Sequence, residues 1–129
     1  HEFLGTNVAG KDVIVVDDMI SSGDSMLDVC RQLKSLNARR IFVFSSFGLF
    51  TSGLERFDEA YEKGLFDKIF TTNVIYQTPE LLTREWYYSV DMSKYMALII
   101  DTLNHDRSVS PFLNPIQKIN DYIEKYNLK

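Results

Sequence analysis

A single cysteine in 129 residues, Cys30, leaves the chain no internal disulfide and fits a reducing, cytoplasmic setting. No apolar run approaches the roughly 20 residues that a membrane-spanning helix needs. The first residues lack the basic-then-apolar pattern of a secretory signal, so no membrane association is expected. Positive charge is also scarce. Lys and Arg total 14 against 18 Asp and Glu, a net charge of −4. A general nucleic-acid binder draws its affinity from clustered cations, so that class is disfavoured and no nucleic-acid partner is expected. Arg39-Arg40 is the sole basic doublet, placed where a helix hands over to a strand, and reads as solvated surface. Internal repeats and low-complexity segments are absent.

What remains is ordinary for one globular domain: 45% hydrophobic and 25% charged residues. Val13 to Val16 is an unbroken β-branched run, as in a parallel strand covered on both faces. Met26, Val29, Cys30, Leu33 and Leu36 then recur at helical spacing and predict a helix over 25–36, with Cys30 on its apolar side as a buried small hydrophobe. Ile41 to Ser45 is a second buried strand. Strand, loop, helix and strand make a βαβ unit with a right-handed crossover. Further on, the pattern predicts a helix over 52–63 closed by Gly64, a strand Lys68 to Thr72, an edge strand Tyr87 to Val90 and a helix over 92–104. A linker with two prolines follows. Asn114 then caps a last helix with Pro115 at its first position and an apolar stripe of Ile116, Ile119, Ile123 and Tyr126. The class is α/β with a mostly parallel sheet.

In such sheets ligands bind beyond the carboxyl ends of the strands. That location after the first strand holds Asp17-Asp-Met-Ile-Ser-Ser-Gly-Asp-Ser25. Gly23 permits a close backbone approach, and N–H groups from about Ser22 to Met26 at a helix start form an anion cradle. Ser21, Ser22 and Ser25 add hydroxyl donors. Asp17 and Asp18, at the strand end, suit sugar hydroxyls or a hard cation such as Mg²⁺. One ligand satisfies both halves, a pentose 5-phosphate. The loop lacks the Gly-Lys-Ser/Thr of a Walker A motif and the three glycines of a dinucleotide fingerprint. An ordinary βα turn with Ser and Asp as helix caps is the plainer alternative. Asp24 is expected to turn away from the cradle and cap residues 26–27. Ser45, Ser46, Thr71 and Thr72 fall at strand ends that border the location. His105, after a helix end, reads as a solvated or dipole-pairing residue.

The stretch VIVVDDMISSGDS resembles the phosphoribosyl-binding signature of type I phosphoribosyltransferase-fold proteins. With FSSFGLFTSGLERFDEAYEKG, TTN and MSKYMALIIDTLNHDRSVSPFLNP around it, the chain resembles ribose-phosphate pyrophosphokinases over about residues 2–115. That resemblance implies a three-layer α/β/α fold truncated at its N-terminus. It also implies a ribose 5-phosphate-binding domain over 1–110 and a helical extension over 111–129. The parent activity would transfer a pyrophosphoryl group from ATP to ribose 5-phosphate, giving phosphoribosyl pyrophosphate and AMP with Mg²⁺ as cofactor. Asp17 and Asp18 would hold the ribose hydroxyls with Mg²⁺ nearby, and Ser21, Ser22, Gly23, Asp24 and Ser25 the 5-phosphate. Many relatives carry DTGGT where this chain has SSGDS, which puts a side-chain role for position 24 in question but leaves the backbone cradle. Ser108 and Ser110 resemble an element lining a regulatory anion site between subunits; a polar linker is the alternative, and Pro111 departs from the pattern. In the family, the ATP site lies in segments preceding the matched part, so the 129 residues alone are expected to be inactive. Homo-oligomerisation is expected from the 115–127 stripe. A nucleobase phosphoribosyltransferase and a non-catalytic, pyrophosphokinase-like regulatory subunit are the alternative readings.

Overall fold

A computed structural model describes residues 7–110 and 115–126. In chain order the elements are β1 (Asp12–Ile20), α1 (Asp24–Ser35), β2 (Arg40–Gly48), α2 (Glu55–Glu62), β3 (Lys68–Thr72), α3 (Pro79–Leu82), β4 (Tyr87–Val90), α4 (Ser93–Asn104) and α5 (Ile116–Lys125). They divide into two compact units, His1–Met92 and Ser93–Lys129. The first holds a four-stranded sheet in the order β1-β2-β3-β4, parallel throughout, which makes this an α/β protein.

That strand order decides where the core lies. The sheet winds in one direction without reversing, and right-handed crossovers then carry every connecting helix to the same face. Register puts Val13 beside Ile41, Val15 beside Val43, Val43 beside Ile69 and Ile69 beside Tyr87. These side chains meet Met26, Leu27, Cys30 and Leu33 of α1 and Phe57 and Ala60 of α2 in one buried cluster. The opposite face carries Ile14, Val16, Phe44 and Tyr88, with Ile14 64% and Val16 78% exposed. The run Val13 to Val16, read as covered on both faces, is therefore packed through alternate residues only. Phe44 and Phe70 stack on that second face with centroids 4.4 Å apart.

Under α2 the core is aromatic. Phe57 and Trp86 stack at 5.7 Å, Phe50 meets Phe57 edge-on at 5.0 Å, and Phe66 meets Trp86 edge-on at 5.9 Å. The Trp86 indole donates to Asp58 Oδ1 (2.7 Å), whose carboxylate also accepts from Arg84 Nε (3.0 Å). This satisfies the polar edge of a nearly fully buried tryptophan.

Several element ends differ from the sequence pattern for local reasons. β1 continues to Ile20, because Asp17, Met19 and Ile20 stay in register with Ser45, Phe47 and Gly48. Helix α2 starts at Glu55, not at 52, since Gly53 at φ 81° turns the chain before it. Gly64 closes α2 as expected, with its N–H on Tyr61 O and that of Leu65 on Ala60 O. Helix α3 was not foreseen, although Thr78 accepts from Leu81 N and Pro79 occupies its first turn, both ordinary start signals. In the second unit α5 follows Pro115, and Ile116, Ile119, Tyr122, Ile123 and Tyr126 form an exposed apolar stripe. Asn114 and Pro111 lie outside the described residues.

Candidate functional site

The loop between β1 and α1 closes over a depression of about 270 Å³ lined by residues 17–26. Gly23 is the residue before the helix and adopts φ 87°, ψ −1°, the left-handed region that favours glycine. No side chain caps α1. Its first intrahelical bond is from Leu27 N to Gly23 O, so the N–H groups of Ser25 and Met26 have no acceptor within the helix. They stand at the positive end of a twelve-residue helix dipole.

The expectation that Asp24 caps residues 26–27 is not met. Because Gly23 takes the capping position, Asp24 becomes the first helical residue, and from there a side chain cannot reach back over the helix end. Its two carboxylate oxygens go elsewhere. Oδ2 accepts from the Ser22 hydroxyl at 2.8 Å, and Oδ1 accepts from Arg56 Nη1 at 2.5 Å. The Ser22 hydroxyl hydrogen bond first, then the charges of Arg56 and Arg31, hold its carboxyl below the usual range against an opposing desolvation cost. The Asp24 carboxylate thus stays at the loop, held between the Ser22 hydroxyl and Arg56 of α2.

Helix α2 is thus part of the loop's frame. Leu49 N donates to Ile20 O (2.8 Å) and Thr51 N to Ser21 O (3.0 Å), tying the segment after β2 to the segment after β1. Arg56 Nη1 reaches Ser22 O (3.4 Å) as well as Asp24. Behind them the Phe57 ring lies against Gly23 so closely that a Cβ there would stand 2.1 Å from Phe57 Cζ. The loop carries no basic residue of its own, and the fold supplies one from 32 positions downstream. The sequence did hold a signal. In a parallel sheet the loops after adjacent strands emerge side by side, so the first turn of α2 belongs next to the first loop.

Asp17 and Asp18 are exposed at the carboxyl end of β1. Asp17 Oδ1 accepts from Asp18 N at 2.8 Å, and among the described residues the Asp18 carboxylate makes no hydrogen bond or ion pair. Asp17 borders a second depression of about 260 Å³, shared with Ser45, Ser46 and Thr72 over the Phe44–Phe70 stack. Two of the hydroxyls there are engaged, Ser45 Oγ with Phe47 O and Thr72 Oγ1 with Ser46 O, and the nearby buried Thr71 Oγ1 bonds Tyr87 OH at 2.6 Å. These groups stitch the ends of β2, β3 and β4 together. Among the described residues no three His, Cys, Asp or Glu side chains group as a metal cage.

Ser108 and Ser110 fall in the second unit, where the Ser108 hydroxyl accepts from Ser110 N and donates to Ser110 Oγ, a local turn. His105 Nδ1 contacts Asp101 O at 2.8 Å at the carboxyl end of α4, consistent with a helix-end partner. Burial pushes the Cys30 thiol up to about 11, which makes it an inert part of the core. Arg39 and Arg40 are exposed, and both bond Asp12. Their hydrogen bonds hold its carboxyl far below the usual range. Among the described residues no helix is long and apolar enough to cross a membrane.

Three comparisons bear on this arrangement. Residues 3–114 match the family described as the phosphoribosyl synthetase-associated domain. The ribose-phosphate pyrophosphokinase of Mycoplasma pneumoniae is 36% identical over 72 residues, 55% of this chain and 22% of the relative. That of Thermococcus kodakarensis is 37% identical over 85 residues, 64% of this chain and 30% of the relative. The crystal structure of phosphoribosylpyrophosphate synthetase from Mycobacterium smegmatis superposes with a TM-score of 0.68 at 19% identity, over 79% of this chain and 33% of that one, a likeness of fold. The chain spans a third or less of the length of each of these relatives.

Proposed function

Since the chain belongs to the phosphoribosyl synthetase-associated family, we propose that it is the ribose 5-phosphate-binding part of a ribose-phosphate pyrophosphokinase. The observation that carries this reading is the uncapped start of α1, with the Ser25 and Met26 N–H groups open, adjoining two exposed carboxylates on β1. The 5-phosphate sits on the N–H groups and the Ser21 and Ser25 hydroxyls, while the Ser22 hydroxyl, whose proton goes to Asp24 Oδ2, shapes the loop beside it. The 2- and 3-hydroxyls of the sugar donate to Asp17 and Asp18. Anchoring both ends of the pentose fixes its remaining hydroxyl, and this alignment is what the chain contributes to transfer of a pyrophosphoryl group.

Mg²⁺ fits this donor set in one way. Two exposed carboxylates without a third protein ligand do not form a dedicated cage, but Mg²⁺ is commonly held by one or two carboxylates together with substrate oxygens. Asp17 and Asp18 would hold it, and bound there it would offset negative charge on the substrate. ATP, phosphoribosyl pyrophosphate as product, a cytoplasmic location, self-association and a regulatory anion at Ser108 and Ser110 belong to the same proposal. The names of the relatives support phosphoribosyl pyrophosphate as product, and the exposed apolar stripe of α5 supports self-association. Because the chain spans a third or less of each relative, the proposal assigns these 129 residues sugar binding without turnover of ATP.

Calorimetric titration of the 129-residue chain with ribose 5-phosphate, with and without Mg²⁺, tests the reading. Weak binding strengthened by Mg²⁺ is expected. Asp17→Ala/Asp18→Ala removes two charged acceptors from exposed positions and should weaken it by at least about tenfold, since hydrogen bonds to charged groups contribute about 1.5–3 kcal/mol each. A double variant that binds unchanged contradicts the assignment of the carboxylates to the sugar.

A further inference from the structure

Asp24 places an anion at the helix end that the proposed ligand must use. As the first residue of α1 it adjoins the open N–H groups of Ser25 and Met26, so its carboxylate and a phosphate dianion would share one helix N-terminus. Like charges at that separation repel, and the loop itself contains no cation to offset them. The structure brings one. Arg56 Nη1 bonds both Asp24 Oδ1 and Ser22 O, and the Ser22 hydroxyl occupies Oδ2, so both oxygens of the carboxylate are engaged. Arg56 is also set on firm ground. Its neighbour Phe57 is fully buried against Gly23, which fixes the first turn of α2 relative to the loop, while the Arg56 side chain remains 40% exposed.

We propose that Arg56 is the specificity-determining cation of the loop, cancelling the Asp24 carboxylate so that the cradle accepts a dianionic phosphate monoester in preference to a monoanion. This rests on the proposed sugar-phosphate reading of the loop and adds to it a residue from another element. It also makes chemical sense of an aspartate inside an anion cradle. The pair holds the loop in shape when empty, at no net charge, and leaves the helix end positive toward the ligand.

A double-mutant cycle tests this on the full 129-residue chain, titrated at about pH 7.5 with ribose 5-phosphate, mostly a dianion there, and with its methyl phosphodiester, a monoanion. Arg56→Ala should weaken ribose 5-phosphate about fivefold to tenfold, the size expected for one uncompensated charge a few ångströms away in a solvent-exposed site. The loss for the diester should be clearly smaller. Arg56→Lys, which keeps the charge, should retain most of the affinity. In the Asp24→Asn background, Arg56→Ala should cost less than twofold, because there is no carboxylate left to cancel. Equal losses for the two ligands, failure of lysine to rescue, or a full loss in the Asp24→Asn background overturns the role of Arg56. A wild-type chain that binds ribose 5-phosphate nowhere fails at the first titration and overturns the underlying reading instead, so the two failures are told apart.

Discussion

Gly23→Ala is the sharpest probe of how the loop is held. Two separate costs can be read from the geometry. The backbone at φ 87° lies in the left-handed region, which costs a non-glycine residue about 1–2 kcal/mol. The added Cβ would also stand 2.1 Å from Phe57 Cζ and 2.8 Å from Cε1. Phe57 cannot simply rotate away, being fully buried between the Phe50 edge and the Trp86 face. Forcing extra volume into such packing costs about 1–3 kcal/mol. Together the substitution should destabilise the first unit by about 2–5 kcal/mol and lower its melting temperature by roughly 10 °C or more. Urea and thermal unfolding followed by circular dichroism measure both. Phe57→Leu removes the ring atoms that meet the new Cβ. The double variant should therefore be more stable than the sum of the single effects by about 1 kcal/mol or more. A Gly23→Ala protein within about 0.5 kcal/mol of wild type, or a strictly additive double variant, refutes the claim that α2 braces the loop through this contact.

Trp86→Phe deletes the indole donor to Asp58 while Arg84 still pairs that carboxylate, so urea unfolding should show a loss of about 1–3 kcal/mol, and an unchanged midpoint would contradict the packing described. Asp12→Asn tests the acid side. The Arg39 and Arg40 hydrogen bonds depress the folded-state pKa of Asp12 below its ordinary 3.8, so its contribution is present above that value and lost as pH falls below it. Wild type should exceed Asp12→Asn in stability near neutral pH, with the difference closing in acid below about pH 4, as followed by unfolding across a pH series. A difference that widens in acid reverses the sign of the argument.

Much of the fold was legible in the sequence because its signals are local. The β-branched run of β1, the helical spacing of Met26, Cys30 and Leu33, and Gly64 closing α2 each announce their element within a few residues. The bare face of the sheet was not legible. Ile14 and Val16 are as apolar as Val13 and Val15, and only the strand order, a long-range property, decides which pair meets the helices. At the loop, the turn into α1 was legible from Gly23, and the exposed acids from their place at a strand end. Asp24 was misjudged because capping preference favours aspartate, while the backbone gave that position to Gly23. Arg56 was missed for a related reason: its partner lies 32 residues away, and nothing in its own neighbourhood marks it. Adjacency of parallel loops supplies the missing step.

The central claim, a pentose 5-phosphate laid across the β1–α1 loop, is tested most directly by mapping amide resonances during a titration with ribose 5-phosphate and Mg²⁺. The account predicts saturable shifts concentrated at residues 17–26, largest at the Ser25 and Met26 amides that lack a helical acceptor, with a smaller response at the start of α2. Saturable shifts centred elsewhere, with those amides unmoved, would contradict it.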